Sequence, residues 1–326
     1  MFPDPIEPGI YFGLDEEVYH RARWLGSTDI KKLYASPPDW WYEGPENPLQ
    51  PPPEETSPAK EFGTAVHYCT LYGRERFDAV YRSVADTGKL EVSAEGLKNW
   101  ILEQGGKPRK LKDGNLQLVK EMGVRLLPEG RYQRAVQAAA MIRQNPHLLP
   151  MFEGEGWSEV SVFWIDSDGV PCKGRFDRLK PRAVVDIKSF SARGRIVPLD
   201  RMILSDILRF RYDIQAAHYL EGRMAARTLA AEGRIFGDVR ADQPGLIKLL
   251  FFEEPGFVFV FYKSDGAPIA KSFQMLWNSA PHQAGKAGRT QAIANYLMFR
   301  ERFGTGFWVC TDEPYNLDAD DLPAWL

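Results

Sequence analysis

Residues 174–190 read GRFDRLKPRAVVDIKSF, and the fold turns on how the last eight of them, AVVDIKSF, are built. Taken as a strand, this run alternates between faces, so Val184, Asp186 and Lys188 share one side while Val185 and Ile187 share the other. A carboxylate and an ammonium then stand two residues apart on an interior strand. Buried charges are costly unless they are paired, neutralised or bound to a metal. Upstream, WSEVSVFWI (157–165), a DSDG turn, VPCKGRFDRLK (170–180) and a KPR turn lead into that strand. The alternation and the turn residues predict three successive antiparallel strands.

Asp177 closes the middle strand, and a hairpin through the KPR turn brings its carboxylate beside that of Asp186. Two like charges so close repel unless a cation lies between them. A hard divalent ion such as Mg²⁺ suits oxygen ligands. Lys188, on the face of Asp186, is then placed to orient or help deprotonate a water and to stabilise charge growing on a phosphate. Taken singly, the Asp-x-Lys pair also fits an ion pair on a solvated strand face, and Asp177 a simple strand end.

Farther out, residues 1–26 look irregular. STDIKKLYASPPDWW predicts a short helix capped by Ser27 or Thr28 and stopped by the prolines at 37 and 38. GPENPLQPPPEETSP (44–58) is a proline-rich loop, after which Ser57 caps a helix with Pro58 at its first position. That helix carries Phe62, Val66, Cys69 and Tyr72 on one stripe, with His67 beside it. Residues 74–150 have a mostly helical pattern, broken at a cluster of Lys107, Arg109, Lys110 and Lys112 that reads first as a solvated loop and second as a DNA contact. Residues 200–230 predict a long helix divided near 209–213. LIKLLFFEEPGFVFVFYK (246–263) predicts a hairpin turning at Glu-Pro-Gly, and 268–303 reads as helix. The expectation is an α/β (α+β) fold with helical insertions, in one domain over 1–326. Its parts are an N-terminal segment at 1–56, an insertion at about 74–150 and a C-terminal helical tail at about 268–326.

The 326 residues are 44% hydrophobic and 13% aromatic, enough for a sizeable core, and the formal charge of -3 excludes a wholly basic nucleic-acid binder while leaving local patches open. Cys69, Cys172 and Cys310 are scattered, with no CxxC pair, so neither a disulfide framework nor a zinc ribbon is expected. The N-terminus lacks the pattern of a signal peptide, and no stretch approaches the ~20 apolar residues of a membrane span. A cytoplasmic protein is expected, and no membrane partner.

The order GTAVH, GRFD, DIK, QAAHY resembles the PD-(D/E)xK nuclease superfamily, and most closely its RecE-like branch, the exodeoxyribonuclease VIII type of phage and prophage recombination systems. STDIKKLYASP is similar to the opening helix of that branch. The resemblance implies a restriction-endonuclease-like core, a mixed central sheet flanked by helices. It further implies that His67, Asp177 and Asp186 are metal ligands, together with the backbone carbonyl of Ile187, and that Lys188 is the catalytic lysine. Gln215 and Tyr219, four apart on one helix face, match the Q-x-x-x-Y signature, and Glu159 is an accessory carboxylate. The first acidic motif here is Phe-Asp, without the proline of the superfamily name.

The implied activity is Mg²⁺- or Mn²⁺-dependent hydrolysis of linear double-stranded DNA from its ends, 5′ to 3′, leaving 3′ single strands for recombination. The implied partners are duplex ends, a RecT-like annealing protein and other copies of the chain in a ring, in the cytoplasm of a bacterial host. An inactive DNA-binding module and a Cas4-like single-strand-specific nuclease are the alternatives, the missing cysteine quartet counting against iron–sulfur versions. DNA affinity must come from local cations, with Arg175, Arg178, Lys180, Arg182, Arg193 and Arg195 near the sheet edge as candidates and Lys110 in the second patch.

Overall fold

The computed structural model describes residues 2–50, 57–88, 91–237, 250 and 252–310. Its centre is the predicted meander. Strands β4 (Trp157–Ile165), β5 (Pro171–Leu179) and β6 (Ala183–Phe190) pair antiparallel in chain order. β6 then pairs parallel with β8 (Gly256–Lys263), which pairs antiparallel with β9 (Ala270–Met275). On the other side, β1 (Gly9–Phe12) pairs antiparallel with β4 and parallel with β7 (Ile235–Gly237). The seven-stranded mixed sheet has the order β7-β1-β4-β5-β6-β8-β9.

A parallel β6–β8 pair needs a crossover. Helices α9 (Leu199–Arg209) and α10 (Tyr212–Ala231) supply it, divided where the sequence predicts, with Arg211 left-handed at φ 49°. Phe257, Phe259 and Phe261 of β8 face the core containing Ile214, Ala216 and Leu220 of α10. Val258, Val260 and Tyr262 face the opposite core, with Val66 of α4 (Pro58–Val80) and Ala135 of α7 (Glu129–Gln144). A strand covered on both faces reads as an unbroken apolar run, which is why GFVFVFYK lacks polar alternation. Over α10 lies α11 (Ala280–Phe303). A Cβ at Gly285 would stand 2.2 Å from the carbonyl oxygen of Asp213, so glycine is what admits the close helix contact.

Several expectations are corrected. Residues 1–26 contain β1 and a short helix, α1 (Glu16–Arg21). Gly26, and not Ser27 or Thr28, is the N-cap of α2 (Ser27–Ala35), its N–H donating to Asp29 Oδ2 at 2.8 Å. α2 does end before the prolines at 37 and 38, as expected, but these prolines also begin a further helix, α3 (Pro37–Glu43), with Ser36 as its cap, because proline at the first helical turn leaves no amide unsatisfied. The 74–150 region is mostly helical, as its pattern predicts, but not wholly so. Beside α5 (Ala94–Glu103), α6 (Lys112–Glu121) and α8 (Leu149–Phe152) it holds a parallel pair, β2 (Tyr81–Val84) with β3 (Arg125–Pro128), while α7 covers the main sheet. Residues 270–275, expected as helix, form β9, since pairing against β8 overrides a weak local preference. β8 has β6 and β9 for neighbours, and most of its expected hairpin partner, 246–249 and 251, lies outside the described residues.

Two strands lose their alternation at one place. Val160, Val162 and Trp164 of β4 line the α10-side core, yet Trp157 packs against the same core, three positions from Val160 instead of two or four. On β5, Phe176 and Leu179 repeat that interval. The break falls on Glu159, at φ 57°, and on Asp177, which would oppose it in the register Ser158↔Arg178, Val160↔Phe176. A non-glycine residue at positive φ in a strand is strained by roughly 1–3 kcal/mol, and such breaks re-aim side chains.

Candidate active site

The break coincides with a fork. β5 and β6 pair only at Arg178↔Val185 and Leu179↔Val184. Beyond that the Asp177 carboxylate enters between the strands, its Oδ2 accepting from the Ile187 N–H at 2.7 Å. His67, presented by α4, brings Nε2 to 2.7 Å from the same oxygen and Nδ1 to 3.4 Å from Glu159 Oε1. Candidate ligand atoms of His67, Glu159 and Asp177 lie within 4.8 Å of one another. Arg175 flanks them, its Nη1 3.8 Å from Glu159 Oε2 and its Nε donating to Ser161 Oγ at 3.0 Å.

Asp186 is outside the triplet of converging ligand atoms but close enough to Asp177 for each carboxylate to feel the other's charge. It turns toward the crossover helix, where Gln215 Nε2 donates to its Oδ1 at 2.9 Å. Lys188 Nζ stands 2.6 Å from its Oδ2, in a geometry that leaves this buried oxygen without a hydrogen bond. Tyr219, one turn on from Gln215, packs edge-on against Phe176. Ile187 enters through its N–H, donated to Asp177.

A cavity of about 660 Å³ opens over these groups. Its walls include His67, Glu159, Asp177, Ile187, Lys188 and Tyr219 of the predicted site, together with Tyr68 and Tyr72 of α4, Arg125 of β3 and Tyr212 of α10. Asp186, 2% exposed, lies behind Lys188. Lys188 and Lys31 of α2 each hold their Nζ 5.3 Å from the centre of the Tyr212 ring. Lys31, Tyr212, Tyr68 and Arg125 were not singled out in the sequence, where they carry no spacing that marks them, and Tyr72 was read only as part of the apolar stripe of its helix. Only the position of Tyr212 directly after the helix division was a signal.

The charges polarise one another. Burial opposes protonation of His67, but Asp177, Glu159 and Asp186 outweigh it and push its pKa up to about 9. Burial likewise opposes the charge on Asp177, yet His67, Lys188 and the Ile187 N–H hold that carboxyl below the usual range. For Asp186 burial prevails over the Lys188 ammonium, aided by Asp177, and the carboxyl rises to about 6. Lys188 loses charge stability to burial but regains more from Asp186 and Asp177, so its pKa is raised. Lys31 is pushed down to about 8, first by burial and then by the Lys188 ammonium.

The donor set fits a divalent cation. One imidazole and two carboxylates converge, and Asp186 Oδ2 keeps unused acceptor capacity nearby. The basic candidates are dispersed. Arg175 lines the cavity but is held by Glu159 and Ser161. Arg178 is tied to Ser158 Oγ and the Gly154 carbonyl, Arg195 to Asp206, and Lys180 to the Glu153 carbonyl. Arg182 lies over the Phe252 ring. Arg193 and Lys110 are exposed, and none of the 107–112 cluster lines the cavity.

A mixed sheet forked over a carboxylate–histidine cluster, with an Asp-x-Lys strand beside it, defines a PD-(D/E)xK architecture. The chain belongs to the family of PDDEXK-like domains of unknown function (DUF3799), whose model matches residues 46–236, a span holding every one of these predicted catalytic and metal-binding residues. A crystal structure of a candidate exonuclease from Eubacterium rectale has a similar fold, with a TM-score of 0.50 and 14% identity, over 89% of this chain and 86% of that one. No curated protein matches the sequence. Among the described residues, no helix is long and apolar enough to cross a membrane.

Proposed function

We propose that the chain is a metal-dependent exonuclease that hydrolyses linear double-stranded DNA from its ends, 5′ to 3′, leaving 3′ single strands for a recombination partner. The observation that carries the nuclease reading is the convergence of His67, Glu159 and Asp177 at the strand fork beside the Asp186–Lys188–Gln215 triad. Support for duplex ends, polarity, an annealing partner and a ring comes from the resemblance of the motif order to RecE-like enzymes.

Hydrolysis forms a bond between phosphorus and a water oxygen and breaks the bond to the leaving nucleotide. A divalent ion, Mg²⁺ or Mn²⁺, held by His67, Glu159 and Asp177 would polarise the phosphoryl group and acidify the attacking water. Lys188 stays protonated at neutral pH, so its part is that of a cation set against the charge developing on the phosphate. Asp186 fixes the Lys188 ammonium, and Gln215 fixes Asp186. Arg175 keeps the Glu159 carboxylate aimed at His67.

Time-resolved digestion of end-labelled linear duplex tests the reading, with and without Mg²⁺ or Mn²⁺, beside circular duplex and the Asp186→Ala variant. Metal-dependent loss of label from linear DNA alone is expected, with label on opposite strand ends reporting polarity. Retention of linear DNA without cleavage in either metal would replace the enzyme by a binding module.

A further inference from the structure

The cations around the cavity are nearly all committed. Lys188 stands against Asp186, Arg175 against Glu159 and Ser161, and Arg125 against the Tyr81 hydroxyl. Lys173, on the β5 strand, donates to the carbonyls of Tyr19 and Ala22. Lys31 is different. It makes no hydrogen bond or ion pair among the described residues, although it is only partly exposed and its chain neighbour Lys32 pairs with Glu43. Its ammonium rests 5.3 Å from the ring of Tyr212, a wall of the cavity, and Lys188 rests at the same distance from that ring. Two ammonium groups share one aromatic side chain, and the carboxylate that acts on both, Asp186, is already matched by Lys188 and Gln215.

A half-buried cation without a counter-ion destabilises a fold, and the cost is relieved when an anion arrives. The geometry points to a phosphate subsite at Lys31, beside Lys188 and Tyr212, which takes a phosphodiester of the substrate strand adjacent to the one being cut. Lys188 serves the scissile phosphate and Lys31 its neighbour, so the strand is gripped at two consecutive linkages. This assignment rests on the nuclease reading and adds the residue that sets the strand's register against the cluster.

The test compares wild type with Lys31→Gln and Lys31→Arg, using a short linear duplex oligonucleotide and a series in which one phosphate at a time of the strand being cut is a neutral methylphosphonate. Binding is measured in chelator and cleavage in Mn²⁺. Lys31→Gln is expected to weaken binding about tenfold, the worth of about 1.4 kcal/mol, with the loss in KM exceeding that in kcat. It should lower the slope of log affinity against log salt by about one, and Lys31→Arg should recover most of both. One methylphosphonate position should weaken wild type and leave Lys31→Gln unaffected, which is the signature of a direct pair. Lys31→Gln should melt at or above the wild-type temperature, because an unmatched charge has gone.

An unchanged salt slope, or equal sensitivity of both proteins to every methylphosphonate, would overturn the assignment while leaving the nuclease reading intact. A lowered melting temperature with binding lost for Gln and Arg alike would make Lys31 a packing residue and also overturn it. Wild-type protein that neither binds nor cuts any oligonucleotide would remove the nuclease reading, and the subsite with it.

Discussion

Gln215 Nε2 donates to Asp186 Oδ1 at 2.9 Å, and both side chains are buried. Through this bond the crossover helix fixes the carboxylate that holds Lys188. Gln215→Leu removes a donor from a buried carboxylate, an interaction worth about 1.5–3 kcal/mol. Cleavage is expected to fall about 10–100-fold with DNA retention unchanged, as read from single-turnover rates beside filter binding.

Lys188→Met removes the cation that the proposed mechanism sets against the phosphate. A loss of about 10²–10³-fold in kcat is expected, without loss of metal uptake, since Lys188 is no ligand. Calorimetry with Mn²⁺ on the variant checks the second half.

Metal binding should depend on pH through His67. Its pKa is pushed up to about 9 without a metal, and a ligand nitrogen must be unprotonated. Binding therefore releases a proton below that pH, and affinity should climb as pH rises from 6 toward 9. Titrations in two buffers of different ionisation enthalpy count the proton. A nitrogen donor also favours Mn²⁺ over Mg²⁺, and His67→Gln should narrow that preference.

Glu159 sits at φ 57°, where glycine is at ease and alanine is not. Both Glu159→Gly and Glu159→Ala delete the carboxylate, yet glycine should give the more stable protein by about 1 kcal/mol, reversing the usual order within strands. Urea midpoints of the two variants decide it, and both should lose metal affinity.

His218 links acidity to stability away from the cluster. It is fully buried, with Nδ1 accepting from Arg289 Nε at 3.4 Å and Nε2 donating to the Lys173 carbonyl at 3.0 Å, a pattern that needs the neutral ring. Burial, and then the Arg289 charge, hold its pKa down to about 3. In the unfolded chain it titrates near 6.5. Between those values the unfolded chain binds a proton that the folded one refuses, so stability is intact above about pH 6.5 and falls on acidification, by up to about 1.4 kcal/mol per pH unit. Urea midpoints between pH 7.5 and 4.5 should show a shallower fall for His218→Gln.

The meander, the fold class and the division of the crossover helix were legible because alternation, turn residues and apolar runs are local properties of 157–190 and 200–230. β1 and β9 were not, since GIYF and AKSFQM become strands only by pairing with neighbours distant in sequence. The same limit governs the site. Asp177 and Asp186 could be matched by spacing, but a turn count assumes unbroken alternation, and the left-handed Glu159 breaks it opposite Asp177. The partnering of Gln215 with Asp186 across 29 positions follows from the helix docking on the sheet, which spacing cannot report.

Asp177 acts as a wedge, because its carboxylate occupies the Ile187 amide at the point where β5 and β6 stop pairing. The mouth of the cavity is thus a seam kept from zipping by one side chain. A chain that traded Asp177 for a small apolar residue would be free to extend the ladder and close the gap. It would gain main-chain hydrogen bonds as it lost its cleft, so the inactive form could outlast the working one under heat. Selection for thermal endurance alone would then drift toward sealing the enzyme shut.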